Sequence, residues 1–353
     1  GIAMEPDAFT NRVHDIEYVA HDDRPAVDTF FNTYGHQTAI LNGLIVPSVN
    51  HAICDRLLYS DSSTGSSPDW ATQIASAQSE RYTLPHVLIS GRVLAGNRAN
   101  LIVNVGTEGQ MSQLLSGDLM TIADHSSTSP GVVTQAIISK HLSQSASTVN
   151  NAFGEFYEQS MARIRFMKDI SDSGLVNWNT DGSITSQLHL MKDLFRNDLA
   201  RCVTLEFKRE SFDSHVDNDS KQSANFQDLF EFLNEVMTVL QHTPSSTTGT
   251  LLDEVCVVVL SEMGRTPYEN GGKGKDHWQH TSAMLMGSGI RGGCTYGEFS
   301  DLFYGQPIDL QSGDVTPTGQ DISTRLLGDT LLALGDVGNE FTPLGEPIWA
   351  MLQ

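Results

Sequence analysis

The sequence has no long hydrophobic run and few basic residues. No apolar segment approaches the roughly 18 residues that a membrane-spanning helix needs, so the sequence predicts no membrane span. Lysine and arginine together number 21, against 43 aspartate and glutamate residues, which gives a formal net charge of −22. Nucleic acids and anionic membrane surfaces would repel such a chain, so we do not expect either as a partner.

Cysteine is also scarce, and no two cysteines form a Cys-x-x-Cys pair. Cys202 and Cys256 each lie in an apolar, strand-like run. We expect both to be buried free thiols on neighbouring strands, and we favour this over a disulfide. The cysteine content leaves the redox compartment open.

Short apolar runs alternate with amphipathic helical stretches. Val255 to Leu260 is too short for a helix and rich in β-branched residues, which is typical of a strand buried on both faces of a parallel sheet. Cys202 to Phe207 reads as a second such strand, and 226–240 has the apolar stripe of a helix. Strand, helix and strand in this order predict a right-handed βαβ unit. The predicted fold is therefore α/β, with a mainly parallel sheet sandwiched between helices.

Charged and imidazole side chains follow these two strands. Asp213 and His215 are separated by one residue, so in an extended segment both can face one ion. Glu262 either caps a turn or reaches into a site, and Asp276 and His277 lie in a Gly-rich loop that lets the backbone approach a ligand. This nitrogen and oxygen set suits zinc, manganese or iron better than calcium. The sequence predicts a divalent metal site at the carboxyl ends of the strands.

Four further residues are candidates for other roles in the site. Arg265 and Arg291 can grip an oxyanion such as phosphate or sulfate, because a guanidinium meets two oxygens at once. A salt bridge is the alternative for both, and it is favoured for Arg291. Ser48 and His51 follow an apolar strand-like run, Ala39 to Val46, and are either functional or simply part of a polar loop beside a strand.

Four motifs occur in order along the chain, and together they carry a family resemblance. They are FDSH at 212–215, SEMGRTP at 261–267, GKDHW at 274–278 and GSGIRGG at 287–293. The chain resembles an exported bacterial family of unknown function, of the DUF1501 type, within the alkaline phosphatase and sulfatase superfamily. The likeness is closest over 211–301, in a core of 202–301. It implies a single alkaline-phosphatase-like α/β domain over 1–353.

The resemblance also implies a function, namely metal-dependent hydrolysis of a small anionic ester of phosphate or sulfate. The implied metal ligands are Asp213, His215, Glu262 and His277, with Asp276 and Arg265 beside them. The cofactor would be a divalent ion, with zinc favoured over manganese, iron and calcium. Ser48 lies near the position of a superfamily nucleophile, and Arg265 would stabilise charge on the transferred group.

Two features of these relatives are absent from the sequence. One is a strand ending in Gly-Gly-x-Asp, whose aspartate would complete the metal centre, and the other is the Cys/Ser-x-Pro-x-Arg signature of sulfatases. We therefore expect weak or no hydrolysis. The alternative is a non-catalytic exported protein that keeps the fold and a metal site and acts in a surface assembly or a homo-oligomer. The resemblance implies a periplasmic or extracellular location.

Overall fold

A computed structural model describes residues 5–116, 151–207, 212–247, 249–338 and 345–353. The chain divides into two compact units. The first unit comprises residues 1–77, 94–97 and 207–353, and the second comprises 78–93 and 98–206. The prediction of a single domain over 1–353 stays a prediction.

The described residues contain both strands and helices, and the longest helices lie at Asn151–Asp172 and Asn218–His242. The strands are β1 (Phe9–Val13), β2 (Ile16–Ala20), β3 (Thr38–Ile45), β4 (His86–Leu88), β5 (Ile102–Asn104), β6 (Cys202–Thr204), β7 (Cys256–Leu260), β8 (Gly264–Arg265), β9 (His277–Trp278), β10 (His280–Gly287) and β11 (Cys294–Tyr296). The α-helices are α1 (Pro25–Tyr34), α2 (His51–Ser60), α3 (Trp70–Ala77), α4 (Gln110–Ser116), α5 (Asn151–Asp172), α6 (Ile184–Arg196), α7 (Asn218–His242) and α8 (Thr324–Leu334). Short 3-10 helices cover Gly35–Gln37, Ala99–Leu101, Leu251–Asp253 and Trp349–Met351. None of the helices described here combines the length and the apolar character of a membrane span.

The first unit is built around a four-stranded sheet in the order β11-β3-β10-β7. β10 pairs antiparallel with both β3 and β7, and β11 runs parallel to β3. Leu41 and Leu44 on β3 and Leu285 on β10 are fully buried, because helices and loops cover the sheet. Apolar residues along these strands therefore form the core that fixes the ends of β3 and β7.

Helix α8 covers part of this core and packs on α2 and α3. It begins after Ser323, whose side chain accepts a hydrogen bond from the Leu326 N–H and so caps the helix. Gly328 allows the close approach, since a Cβ at this position would lie 2.3 Å from the ring of Trp70. The Trp70 indole N–H in turn donates to the Leu58 carbonyl of α2 at 2.8 Å. This contact holds the last turn of α2, the helix that begins at His51.

Helix α7 packs on α1 through aromatic side chains. Phe30 meets Phe230 edge to face at 5.2 Å, and Tyr18 of β2 stacks on Phe31 at 4.3 Å. The apolar stripe at 226–240 thus lies within a helix, as predicted. Because α7 begins at Asn218, its packing also fixes the segment just before it, which carries Asp213 and His215.

The second unit contains a three-stranded parallel sheet in the order β5-β4-β6. Its strands have three residues each, and Val87 at the centre of β4 is fully buried. The Trp178 indole N–H donates to the Met167 carbonyl of α5 at 3.3 Å, inside the unit. Among the described residues this is the one sheet in which every pair of strands is parallel.

The predicted mainly parallel sheet sandwiched between helices is wrong. The sheets are small, and the one that contains β7 is mostly antiparallel. The predicted βαβ unit is also wrong, because β6 pairs with β4 whereas β7 pairs with β10 in a different sheet. An apolar, β-branched run identifies a strand, but it carries no information about the direction of the strand's neighbours.

The cysteine prediction is confirmed in one part and wrong in another. All four cysteines are free. Cys202 and Cys256 do not lie on neighbouring strands, because their strands belong to different sheets. Both are only partly buried, and the fully buried thiol is that of Cys54 on α2.

Candidate metal centre

The first contributor is His51, the first residue of α2. The chain leaves β3 and turns into the helix at Asn50, whose side-chain oxygen accepts a hydrogen bond from the Ile53 N–H at 3.2 Å. This cap fixes where α2 begins. His51 therefore lies just beyond the end of a buried strand, with 43% of its side chain exposed.

The segment before α7 places Asp213 and His215. Ser214 between them is fully buried and donates to the Asn218 side chain at 2.8 Å, while Gln222 donates to the Ser214 hydroxyl at 2.8 Å. Side chains alternate along an extended segment, so the residues on either side of Ser214 face the opposite way. Asp213 and His215 accordingly lie together in the cluster, as the sequence spacing predicted.

A two-stranded ribbon, β8 paired antiparallel with β9, supplies Arg265 and His277. These two residues are direct partners across the ribbon, so they share one face. Gly264 is needed beside them, because a Cβ there would lie 2.0 Å from the His280 carbonyl oxygen. Glu262 lies in the connection between β7 and β8.

Asp213 is the centre of the cluster. Its Oδ1 lies 3.0 Å from His215 Nε2 and 3.0 Å from His277 Nε2, and its Oδ2 lies 3.5 Å from His51 Nε2. The Nε2 atoms of His215 and His277 are themselves 3.0 Å apart. The Nε2 atoms of three histidines thus lie around one carboxylate. Among the described residues, the set whose ligand atoms all lie within 4.8 Å of one another is His51, Asp213 and His277, and it leaves out His215.

The opposite ring nitrogen of each histidine has a hydrogen-bond acceptor. His51 Nδ1 lies 2.8 Å from Glu262 Oε1, and His215 Nδ1 lies 2.7 Å from Asp276 Oδ1. His277 Nδ1 lies 2.7 Å from the Val49 carbonyl oxygen. An ionised carboxylate and a carbonyl can only accept, so each Nδ1 carries the proton and donates it. Each Nε2 is then left with a lone pair facing Asp213.

The guanidinium of Arg265 offsets the charge of Asp213, but in this tautomer it leaves the three Nε2 lone pairs without a proton to share among themselves. Lone pairs that face one another in this way repel at close range. Histidine ligands of metals typically have this pattern, with one nitrogen on the ion and the other donating to a carboxylate or carbonyl that sets the tautomer. The donor set and its partners therefore fit a divalent ion.

Arg265 supplies the one guanidinium that contacts the cluster among the described residues. It donates to Asp213 Oδ1 and, at 3.1 Å, to the Lys275 carbonyl. Partial burial alone would raise the pKa of Asp213, but the hydrogen bond and the positive charge of Arg265 outweigh it and hold that pKa well below its usual range. Asp213 is thus ionised at any physiological pH and available as an anionic ligand.

The structure brings together most, but not all, of the predicted site residues. Asp213, His215 and His277 meet, whereas Glu262 and Asp276 contact the histidines from behind. The Ser48 hydroxyl accepts a hydrogen bond from the Asn50 N–H at 3.2 Å and contacts the Cys54 thiol.

Two other positions differ from what the sequence suggested. Arg291 is exposed in the turn before β11, where its backbone N–H donates to the Met351 carbonyl at 2.7 Å.

The sequence argument did not identify His51 as a ligand. The available signal was a histidine directly after a helix-capping asparagine at the end of a buried strand.

Comparison with known proteins places the chain in a family. Residues 134–316, just over half of the chain, match the family described as protein of unknown function (DUF1501). The chain belongs to this family. The match contains every cluster residue except His51. No curated protein and no solved structure gave a significant match.

Proposed function

We propose that the chain binds a divalent metal, with zinc favoured, and hydrolyses phosphate or sulfate esters at this centre. The ligands in this proposal are the Nε2 atoms of His51, His215 and His277 and the carboxylate of Asp213. The observation that carries the proposal is the set of three imidazoles whose Nδ1 protons are all committed elsewhere. Membership of the alkaline phosphatase and sulfatase superfamily, and an exported bacterial origin, belong to the proposal.

The donor chemistry supports zinc over calcium, because three of the four donors are imidazole nitrogens. Ligands about 2.0 Å from a tetrahedral zinc ion are roughly 3.3 Å apart. The separations among Asp213, His215 and His277 are 3.0 Å, close to that value. In this assignment Glu262 and Asp276 are not ligands. They hold His51 and His215 in the tautomer that leaves Nε2 free.

Exposure of the cluster supports a catalytic role over a purely structural one. The side chains of His51 and His215 are 43% exposed and that of Asp213 is 36% exposed. Structural zinc sites are usually closed, whereas catalytic sites keep a position open for water or substrate. A metal bound here would polarise an ester and lower the pKa of a water molecule.

The side chains have distinct tasks in this scheme. Asp213 carries the negative charge that the ion requires, and Glu262 and Asp276 keep the imidazoles neutral and oriented. Arg265 places a guanidinium at the edge of the centre, where it can offset charge that develops on the transferred group. Ser48 is not assigned as the nucleophile, because its hydroxyl is engaged within its own loop.

A non-catalytic binding or structural role is the second candidate, and one observation favours it. Both described contacts of the Arg265 guanidinium, with Asp213 and with the Lys275 carbonyl, lie inside the protein. An arginine occupied in this way has fewer donors to offer a substrate oxyanion. In this alternative the metal would stabilise a surface assembly or a homo-oligomer.

Metal analysis combined with an ester panel tests the proposal. We expect near-stoichiometric zinc after dialysis and slow hydrolysis of aryl phosphate or aryl sulfate esters that a chelator abolishes. The matched control is Asn234→Ala, a partly buried amide in α7 that donates to the Ala26 and Phe230 carbonyls. A protein that takes up no metal contradicts both candidates. Metal uptake without hydrolysis across the panel favours the non-catalytic one.

A further inference from the structure

Asn270, in the connection between β8 and β9, uses every hydrogen-bonding group of its side-chain amide. Its Oδ1 accepts from the N–H groups of Gly272, at 2.9 Å, and Gly274, at 3.0 Å. Its Nδ2 donates to the His215 carbonyl at 3.0 Å and to Asp276 Oδ1 at 3.0 Å. Two acceptor bonds and two donor bonds are the full capacity of this side chain. They fix the orientation of the amide and leave it no free group for a ligand.

The loop that Asn270 closes lies directly against the backbone of His215. Val216 and Lys273 form an antiparallel bridge, and the Asn218 N–H donates to the Lys273 carbonyl at 2.9 Å. At Gly274 a Cβ would lie 1.9 Å from the His215 carbonyl carbon, so no side chain fits there. The loop and the segment before α7 therefore hold each other in register.

Asp276 connects this loop to the imidazole. Its Oδ1 receives both the Asn270 amide and His215 Nδ1, the latter at 2.7 Å. Its backbone N–H donates to the Thr266 hydroxyl at 3.1 Å, and its carbonyl accepts from the Thr266 N–H at 2.8 Å. Asp276 is thus held by its backbone on one side and by Asn270 on the other, with His215 as its remaining partner.

We infer that Asn270 is a positioning residue, which holds both the backbone of His215 and the carboxylate that orients its ring, so that Nε2 faces Asp213 and His277. The consequence for metal binding rests on the proposed function. The consequence for the His215 tautomer does not, because it follows from contacts within the protein alone.

Two substitutions separate positioning from simple loop closure. Asn270→Asp keeps an oxygen for the Gly272 and Gly274 N–H groups but loses both donors, and it puts a negative charge beside Asp276. Asn270→Ala removes all four hydrogen bonds. If Asn270 only closes the loop, the aspartate variant should disturb the His215 tautomer less than the alanine variant does. If Asn270 positions His215, the aspartate variant should disturb that tautomer at least as much.

The experiment has two readouts on the folded, full-length variants. Ring-nitrogen NMR of the metal-free protein at alkaline pH reports which nitrogen of His215 carries the proton. We expect Nδ1 in the wild type and a mixture of Nδ1 and Nε2 in both variants. Titration with Zn²⁺ alone should show that both variants bind the ion about tenfold to a hundredfold more weakly than the wild type. This is the usual effect of losing a partner that orients a ligand. Asn234→Ala should change neither readout.

A swapped pair provides a rescue. In the double variant Asn270→Asp with Asp276→Asn, the amide at 276 can donate to the carboxylate at 270 and still accept from His215 Nδ1. We expect part of the lost affinity for Zn²⁺ to return relative to Asn270→Asp alone.

The outcomes separate the two claims. A folded Asn270→Asp protein with the wild-type His215 tautomer overturns the inference, whatever zinc does. A wild type that binds no Zn²⁺, together with a shifted tautomer in the variants, refutes the proposed function and supports the inference.

Discussion

His215 and Asp276 are joined by a 2.7 Å contact between Nδ1 and Oδ1, on the side of the imidazole away from Asp213. Hydrogen bonds from His215 and then from Asn270 hold the pKa of Asp276 below its usual value, so its carboxyl is ionised at neutral pH. The imidazole must therefore donate at Nδ1, and Nε2 presents its lone pair to the cluster. Asp276 acts on the candidate centre through His215 and need not touch an ion itself.

Removing this partner should weaken metal binding without removing a ligand. We expect Asp276→Ala to raise the dissociation constant for Zn²⁺ about tenfold to a hundredfold, measured by competition with a chromophoric chelator. Asp309→Ala is the control, since Asp309 is also exposed and accepts hydrogen bonds from two backbone N–H groups, those of Gln311 and Ser312. Wild-type affinity in Asp276→Ala would contradict this role.

His51 should behave as a ligand, which distinguishes it from Glu262. We expect His51→Ala to weaken Zn²⁺ binding more than Glu262→Gln does, because the first loses a donor atom and the second loses only the partner that orients it. Calorimetric titration with Zn²⁺ measures both. Ser48→Ala, three residues before His51, is the matched control and should bind as the wild type does. The reverse order, with Glu262→Gln the more harmful, would make Glu262 the ligand.

Arg265 should matter more for turnover than for metal affinity. Losing a donor aimed at developing charge typically lowers the rate about a hundredfold or more, while Arg265→Ala leaves all four proposed ligands in place. The measurement is kcat/KM with an aryl phosphate or aryl sulfate beside the Zn²⁺ dissociation constant of the same variant. Equal losses in both quantities would show that Arg265 serves only to hold Asp213.

The local chemistry of the site could be predicted from the sequence better than its assembly could. Asp213 and His215 were identified because alternate residues of an extended segment share a face, and His277 because it lies in a Gly-rich loop. The partner of Glu262 was not identified, because His51 lies 211 residues away along the chain. A lone histidine after a strand looks the same whether or not it faces an ion.

The roles of the carboxylates needed atomic positions. Sequence spacing marks Asp276 and Glu262 as close to the site, but it does not tell a ligand from the partner of a ligand. The same limit applies to the sheet. The run in β7 predicted a strand correctly, although all five of its residues are only partly buried. Its antiparallel pairing with β10 depends on which distant strand lies beside it.

One further prediction, independent of the metal centre, concerns stability and pH. Glu5 pairs with Arg24 at 2.7 Å and accepts from the Ser223 hydroxyl at 2.7 Å. Burial alone would raise the pKa of Glu5, but Arg24 and Ser223 outweigh it and lower that pKa. A lowered folded-state pKa stabilises the protein above the unfolded pKa, and the stabilisation is lost as pH falls through the folded value.

Glu5→Gln should therefore lower the free energy of unfolding at neutral pH, by about 1–3 kcal/mol, because it weakens the pairing of the buried Arg24. The difference from the wild type should shrink as the pH falls below the ordinary glutamate range. Denaturant titrations over that pH range measure the free energy of unfolding of the wild type and of the variant. Glu17→Gln, a substitution at an exposed glutamate, is the control. A difference that stays constant with pH would exclude a role for the charge of Glu5.

The most direct test of the central claim is anomalous X-ray scattering at the zinc absorption edge from crystals of the protein grown with Zn²⁺. The account predicts one strong peak about 2.0–2.1 Å from the Nε2 atoms of His51, His215 and His277 and close to the carboxylate of Asp213. Glu262 and Asp276 should remain on the far nitrogens of their histidines. Absence of a peak at this position with zinc in excess, or a peak ligated by Glu262 and Asp276 in place of the imidazoles, would contradict it.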